Sequence, residues 1–276
     1  MHGNSEFKGV IIDWGGVLTT PILTTVRAWI QADGIDWASY AAVMRPWIAQ
    51  AYDRDGGPDP VRALDLAGGP DPVPALDLAG GPDPAPALDL AGGPDPVPAL
   101  DRDGGPNPVH ALERGECSGA DFERLLAARL VRMDGGAVVA EGLLRRMFAA
   151  SVPVPGMYDT IRALRSAGFS TSLLSNSWGC DEYPRADFPG LFDTVVLSGE
   201  VGMRKPEEQI FLHAAETLGL APQECVFIDD IEANVAAAVA CGMTGVHHTE
   251  TAATAAALQD LLGVPLAWSG PAALGI

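Results

Sequence analysis

Short apolar runs alternate along this chain with longer segments in which apolar residues recur at the spacing of an α-helix. The short runs, which predict strands, lie at 10–12, 169–174, 192–197, 225–229 and 246–248. The segments that predict helices between them lie at 154–164, 207–218 and 232–241. Runs that are apolar on both faces are typical of strands buried in a parallel sheet. Because strands and helices alternate, the predicted fold class is α/β, with a doubly wound parallel sheet.

A second helical region interrupts this alternation after the first strand. Helix-spaced apolar residues predict amphipathic helices over 22–52, 119–133 and 141–149. Ser118 stands where the second of these needs an N-cap residue. We therefore predict a core domain from residues 1–20 and 152–276, and a helical cap domain from residues 21–151.

Tandem repeats with a period of 12 residues occupy positions 56–108 inside the predicted cap. The unit Gly-Gly-Pro-Asp-Pro begins at 56, 68, 80 and 92, and returns at 104 with Asn107 in place of aspartate. Leucines at fixed positions favour a short solenoid, whereas the glycine and proline content is also typical of disorder. Two functional interpretations stay open. The insertion is either an arm that binds a protein partner or, as we favour, a tolerated expansion of a loop.

Composition and charge restrict the partners of the chain. Its 276 residues carry a formal net charge of −19, from 36 acids and 17 bases. Such a charge repels nucleic acid and anionic membrane surfaces. No run of about 18 apolar residues predicts a membrane span, and the polar N-terminus does not resemble a signal peptide. We therefore expect a cytoplasmic protein that binds neither nucleic acid nor membranes.

Candidate chemistry begins at Asp13, which directly follows the first apolar run and precedes Gly15 and Gly16. Open α/β sheets bind ligands at the carboxyl ends of their strands, where such an aspartate would lie. Glycines there allow backbone amides to approach an anion closely. The alternative is that Asp13 only caps the following turn.

Three later segments favour the chemical interpretation of Asp13. Ser175 ends one apolar run, Lys205 lies in a turn before a helix, and the adjacent acids Asp229 and Asp230 end another run. Together they match the needs of phosphoryl transfer, with Asp13 as a nucleophile that forms an aspartyl-phosphate. The three aspartates supply oxygen ligands for a divalent cation, most simply Mg²⁺. Ser175 would donate a hydrogen bond to a phosphoryl oxygen, and Lys205 would balance negative charge.

Two of these features also have interpretations that involve no chemistry. Asp229 and Asp230 also suit the N-cap and first turn of a helix, where acids are favourable. Arg204, next to Lys205, is expected to be a solvated surface residue.

In the order and content of these four motifs, the chain resembles the haloacid dehalogenase-like (HAD) hydrolases. The motifs are Asp13-Trp14-Gly15-Gly16-Val17-Leu18, Leu174-Ser175-Asn176-Ser177, Lys205-Pro206 and Asp229-Asp230. The resemblance covers residues 6–50 and 110–250 and fits the phosphatase-type branch with a helical cap. It implies a Rossmann-like core, a small phosphorylated substrate and a Mg²⁺ cofactor. It also implies that Gly15, Gly16, Ser175 and Asn176 bind the substrate, and that the main chain of Gly15 joins the three aspartates as a metal ligand.

The chain departs from the family pattern at Gly15. Phosphatases of the family usually carry there a second aspartate, which acts as general acid and base. Its absence leaves open a phosphatase for leaving groups of low basicity, a slow phosphatase, or an inactive relative that binds a partner through its repeats. A metal-independent 2-haloacid dehalogenase is a further alternative, but adjacent acids such as Asp229 and Asp230 repel each other unless a cation compensates them.

Overall fold

The computed structural model describes residues 6–52, 107–179 and 183–266, with side chains to residue 49 in the first range. The repeat units at 56–106 lie outside the described residues, so the solenoid, disorder and partner-arm interpretations stay untested predictions. Within the described residues, no helix has the length and apolar character needed to cross a membrane.

A five-stranded sheet forms the centre of the fold. Its strands are β1 (Gly9–Ile12), β2 (Ser170–Ser175), β3 (Thr194–Leu197), β4 (Cys225–Asp229) and β5 (Thr244–His247). The order across the sheet is β3-β2-β1-β4-β5, and every neighbouring pair is parallel. The predicted α/β doubly wound sheet is therefore confirmed, because the chain moves outward from β1 in both directions.

Ten helices are described, and two 3₁₀ turns at Phe188–Gly190 and Pro222–Glu224 accompany them. The helices are α1 (Ile22–Asp33), α2 (Trp37–Tyr52), α3 (Pro108–Glu113), α4 (Gly119–Ala127), α5 (Leu143–Met147), α6 (Pro155–Ser166), α7 (Ser198–Val201), α8 (Glu208–Thr217), α9 (Glu232–Ala240) and α10 (Thr251–Leu262). The alanine-rich helix α10 was not predicted from the sequence.

Both faces of the sheet are covered by helices, as the apolar runs predicted. Val10 and Ile12 pack in one buried cluster with residues of α6 and α10. Ile11 points to the opposite face, where it packs in a second cluster with residues of α8 and α9. Successive side chains of a strand alternate between faces, so a strand buried on both sides must be apolar throughout.

A third apolar cluster belongs to helices α1–α5, which form a helical subdomain. The two connections between this subdomain and the sheet run side by side. Thr20 donates its N–H to the carbonyl of Val152, and Val154 donates to that of Leu18. The boundaries at residues 20 and 152 and the role of this subdomain as a cap stay predictions.

The predicted helix over 22–52 is two helices. Gly34 adopts a left-handed conformation at φ 64° and ends α1. The next residues pair instead with a distant segment, because Asp36 donates to the carbonyl of Val131 and Met133 donates to that of Gly34. Helix-spaced residues on both sides hid this break from the pattern.

The same pairing shortens the predicted helix over 119–133, which ends at Ala127. Met133, the last residue of the predicted helix, is 76% exposed. The predicted N-cap is confirmed, since the Ser118 hydroxyl accepts from the N–H of Asp121 at 3.1 Å. The helix predicted over 141–149 is reduced to α5, which begins after the left-handed Gly142.

The last repeat unit, which begins at residue 104, continues into helix α3. The Asn107 side-chain oxygen caps this helix by accepting from the N–H of Val109 at 2.9 Å. Its amide nitrogen donates to the carbonyl of Trp47 in α2 at 2.6 Å. The other units carry aspartate at this position. An ionised aspartate would cap equally well but cannot donate, so Asn107 suits the unit that docks on α2.

Candidate active site

Three strands bring the predicted site residues to one edge of the sheet. Asp13 follows β1, Ser175 ends β2 and Asp229 ends β4, and β1 lies between the other two. The register pairs Ile12 with Ile228, so Asp13 and Asp229 stand at the same level. This edge is the topological switch point of the sheet, where ligands of such folds bind.

Lys205 joins the two aspartates from the loop before α8. Its ammonium nitrogen lies 2.6 Å from Asp13 Oδ1 and 2.6 Å from Asp229 Oδ2. The side chain of Lys205 is almost wholly buried, as are both carboxylates. Lys205 is thus the shared counter-ion of both carboxylates. Only the loss of both would leave its buried charge unpaired, at a cost of about 3–5 kcal/mol.

Asp229 accepts further hydrogen bonds that orient its carboxylate. Oδ1 accepts from the N–H of Ile231 at 2.8 Å, and the Asn234 amide lies 3.1 Å from both oxygens. The helix-capping alternative is wrong, because the N-cap residue of α9 is Ile231 and the acid in its first turn is Glu232, so both aspartates precede the helix. Asp229 instead pairs with Lys205. Asn234 is a site residue that sequence reasoning missed.

Asp230 completes a cluster whose composition suits a divalent cation. Ligand atoms of Asp13, Asp229 and Asp230 lie within 4.8 Å of one another. Asp230 Oδ1 is buried and has no hydrogen-bond partner in the described part of the chain, and such an orphaned oxygen calls for a ligand. Three carboxylates against the ammonium of Lys205 leave two uncompensated negative charges when all are ionised. The residues therefore fit Mg²⁺, which prefers carboxylate oxygens.

Gly16 leaves room for the carboxylate of Asp230. A Cβ at Gly16 would stand 2.0 Å from Asp230 Oδ2, and its φ of +83° disfavours any other residue. We expect Gly16→Ala to weaken Mg²⁺ binding by about 10- to 100-fold, because it displaces a ligand. Isothermal titration calorimetry measures the change. Gly168→Ala is the matched control, since Gly168 shares a left-handed φ, at +94°, and its Cβ would meet none of the described residues within 4 Å. Equal binding by both variants would contradict the assignment of Asp230.

Burial acts on the pKa values of three groups in the cluster, Asp13, Asp230 and Lys205. Burial raises the pKa of Asp13 to about 7, although Lys205 opposes the shift. Burial and then the charges of Asp13 and Asp229 raise the pKa of Asp230 to about 8. Burial opposes the charged form of Lys205, but the two carboxylates beside it outweigh burial and raise its pKa. The cluster thus holds protons that a cation would displace.

These shifts predict that the metal-free protein loses stability as pH rises from about 4 to 8. Over this window the folded state holds protons on Asp13 and Asp230 that the unfolded state has released, so stability falls with pH. Each 1 kcal/mol lost lowers the unfolding midpoint by about 2–4 °C. Thermal unfolding in chelator measures the slope, and added Mg²⁺ should flatten it. Asp230→Asn should also reduce the slope. An unchanged slope in that variant would speak against the shift at Asp230.

Ser175 and Asn176 occupy the end of β2. The Ser175 hydroxyl lies 3.0 Å from that of Tyr183, whose ring packs against Trp14 at a centroid distance of 5.5 Å. Asn176 holds the main chain of Lys205 through both ends of its amide, at 2.9 and 3.0 Å. The predicted substrate contacts of both residues stay predictions. Tyr183 was not predicted because no motif marks it.

Arg204 corrects an expectation. It is 2% exposed and not solvated, and its Nε donates to Glu113 Oε2 at 2.5 Å. Glu113 ends helix α3 in the helical subdomain and is itself buried. Sequence reasoning could not find this pair, since about 90 positions separate its members.

Comparison with known proteins gives the same family as the motifs. The family described as haloacid dehalogenase-like hydrolase matches residues 7–242 of the chain. Among solved structures, an HAD family enzyme from Bacteroides thetaiotaomicron superposes with a TM-score of 0.53 at 18% identity, covering 88% of this chain and 94% of that one. An HAD phosphatase from Thermococcus onnurineus has a TM-score of 0.50 at 16% identity, with coverage of 93% and 98%. At such identities the structures show the fold alone.

Curated relatives are similar over shorter segments. Bifunctional epoxide hydrolase 2 of Rattus norvegicus is 32% identical over 132 residues, which are 45% of this chain and 24% of that protein. A sesquiterpene phosphatase of Aspergillus oryzae is 32% identical over 114 residues, or 40% of this chain and 58% of the relative. A glyceraldehyde 3-phosphate phosphatase of Methanopyrus kandleri is 31% identical over 103 residues, or 36% and 44%. The matches thus span a quarter to somewhat more than half of these relatives.

The family match extends over most of the chain and includes all four motifs that meet at the edge of the sheet. The chain therefore belongs to the haloacid dehalogenase-like hydrolases.

Proposed function

We propose that the protein is a Mg²⁺-dependent phosphatase that hydrolyses a small phosphorylated metabolite through an aspartyl-phosphate on Asp13. The observation that carries the proposal is the position of Lys205, 2.6 Å from both Asp13 and Asp229, beside the orphaned carboxylate oxygen of Asp230. The two uncompensated charges of this cluster match a divalent cation. Two of the similar curated proteins carry phosphatase in their names, which supports the same class.

Each side chain has a part in the proposed reaction. A carboxylate oxygen of Asp13 attacks phosphorus, and the bond from phosphorus to the leaving oxygen breaks with its electron pair on that oxygen. The Ser175 hydroxyl donates to a phosphoryl oxygen, while the ammonium of Lys205 offsets negative charge on Asp13 and the transferring group. A water then attacks phosphorus, and the bond from phosphorus to the Asp13 oxygen breaks with its electron pair on the carboxylate. One proton of the water stays on the released phosphate and the other passes to solvent.

The metal site in this proposal consists of Asp13, Asp229, Asp230 and the main-chain carbonyl of Gly15. Mg²⁺ bound there would neutralise the carboxylates and stabilise charge on the phosphoryl oxygens. Asp229 is the most constrained of these groups, since it already accepts from Lys205, Ile231 and Asn234. Asp230 Oδ1 has no hydrogen-bond partner among the described residues, and we assign this oxygen as the ligand atom that only the cation would satisfy.

The glycine at position 15 predicts which kind of leaving group the substrate carries. With no acid at this position, protonation of a basic alkoxide lacks its usual donor. General acid catalysis contributes about 10²- to 10⁴-fold, so substrates whose leaving group needs no proton should be favoured. Acyl phosphates and anomeric sugar phosphates are of this kind. The helical subdomain, as a cap over residues 21–151, would choose among them and exclude water.

A panel of phosphorylated metabolites tests the function directly. We expect inorganic phosphate to be released with Mg²⁺ and not in the presence of a chelator, with acyl and anomeric phosphates ahead of alkyl phosphates. Halide release from 2-haloacids in chelator would instead indicate a dehalogenase. Release of neither product across the panel would favour a binding protein and contradict the proposal.

A further inference from the structure

A buried ion pair links the helical subdomain to the loop that carries Lys205. Glu113 at the end of α3 is 4% exposed and Arg204 is 2% exposed, and their charged groups are 2.5 Å apart. A pair of well-packed apolar residues usually stabilises a fold as well as a buried ion pair does. Stability therefore gives little reason for this pair, and its position beside Lys205 suggests another.

Glu113 also contacts the second motif through its main chain. Its carbonyl accepts from the Ser198 hydroxyl at 2.5 Å, and the same hydroxyl accepts from the N–H of Ser177 at 2.8 Å. The neighbouring Asn176 holds both backbone groups of Lys205. Glu113 of the subdomain is thus connected to Lys205 by two routes, one through Arg204 and one through Ser198.

The segment that follows α3 packs closely against α7, so a small movement of one would displace the other. Gly115 lies so near α7 that a Cβ on it would stand 2.5 Å from the carbonyl oxygen of Gly199. Packed surfaces without gaps move as units, since they do not deform continuously. A displacement of α3 would therefore move Arg204 and the adjacent Lys205, whose ammonium lies between two carboxylates.

We infer that Glu113 is a positioning residue that couples the docking of the helical subdomain to the placement of the Lys205 ammonium. The inference rests on the proposed function for its kinetic consequence. Glu113 touches no reacting atom in this scheme. It fixes Arg204, and Arg204 fixes the main chain of the catalytic lysine.

The first test replaces both members of the pair with apolar residues, because removing one alone leaves an uncompensated buried charge and risks unfolding. We expect E113M/R204M to keep the thermal unfolding midpoint and to lower kcat for p-nitrophenyl phosphate with Mg²⁺ by about 10²-fold, as misplacement near 1 Å can do. A normal midpoint together with wild-type kcat would show that the pair only packs, and would overturn the inference.

A matched control lies one residue away. Arg114 pairs with Glu207 across the same two segments, but its side chain is 27% exposed and its partner's 21%. R114Q removes this second link and should leave kcat unchanged within about twofold, because partly exposed pairs contribute little. An equal loss in R114Q and E113M/R204M would mean that general loosening, not positioning, lowers the rate.

Hydrogen exchange separates failure of this inference from failure of the proposed function. In E113M/R204M, which removes both charges together, we expect the amides at positions 203–205 and 207 to exchange roughly tenfold faster, the equivalent of one lost hydrogen bond, with the sheet amides of β1 unchanged. Wild-type exchange in this loop overturns the coupling whether or not the protein hydrolyses phosphates. Faster exchange in a protein without phosphatase activity keeps the coupling and refutes only the function.

Discussion

Replacing Asp13 with asparagine is expected to lower kcat for any phosphate ester by at least about 10⁴-fold, the scale on which enzymes lose activity without a catalytic group. Asparagine keeps the size of the side chain and removes its nucleophilic carboxylate. The bound phosphoryl group then has no acceptor on the enzyme. Rapid-quench kinetics of the wild-type protein, with mass spectrometry of the Asp13 peptide, should find the phosphorylated intermediate that the variant lacks.

The same substitution should not unfold the protein. Asp13 is buried beside Asp229 and Asp230, so it adds negative charge to an acidic cluster. Removing that charge relieves repulsion while it weakens the pair with Lys205, and we expect the unfolding midpoint in chelator to stay within a few degrees. Turnover that survives in a folded Asp13→Asn protein would refute the aspartyl-phosphate mechanism.

Introducing aspartate at Gly15 is expected to raise kcat for alkyl phosphates by about 10²- to 10⁴-fold, since it adds the missing general acid. Among the described residues, a Cβ at Gly15 would meet only the Ile22 side chain, at 3.0 Å, so that flexible side chain must shift slightly to admit it. The φ of Gly15 is not in the left-handed region. Surrounding acids should raise the pKa of the new carboxyl and keep it protonated, as a proton donor requires.

The dependence on the leaving group identifies this effect. Gly15→Asp should accelerate substrates with basic alkoxides far more than p-nitrophenyl phosphate, whose leaving group needs no proton. Gly15→Asn has the same shape without an acidic proton and should give no gain. A gain that is equal for both substrate classes, or that asparagine reproduces, would show that Gly15 does not limit proton transfer.

The proximity of most candidate site residues could be predicted from the sequence, because these residues stand at the ends of strands. Asp13, Ser175 and Asp229 each close an apolar run, and parallel strands place their carboxyl ends at one edge. The local pattern was therefore enough to predict that Asp13 lies near Ser175 and Asp229, although each is more than 150 positions away in the chain. The strand 225–229 was predicted with its observed bounds.

Predictions were wrong where distant segments changed a local preference. The periodicity of 22–52 continues across Gly34, but pairing with the segment at 131–133 divides it into two helices. Arg204 was expected in solvent because charged residues are mostly exposed. Its burial depends on Glu113, which comes from a different subdomain, and no pattern along the chain connects the two.

The chain's own order of apolar and polar residues settles the α/β fold class, the edge of the sheet where the candidate site residues meet, and the family, since these depend on periodicity and on short motifs. Folding in three dimensions settles which acids share Lys205, which oxygen of Asp230 lacks a partner among the described residues, and which glutamate pairs with Arg204. Those features are distances between side chains, and only packing sets a distance between residues that lie far apart in the chain.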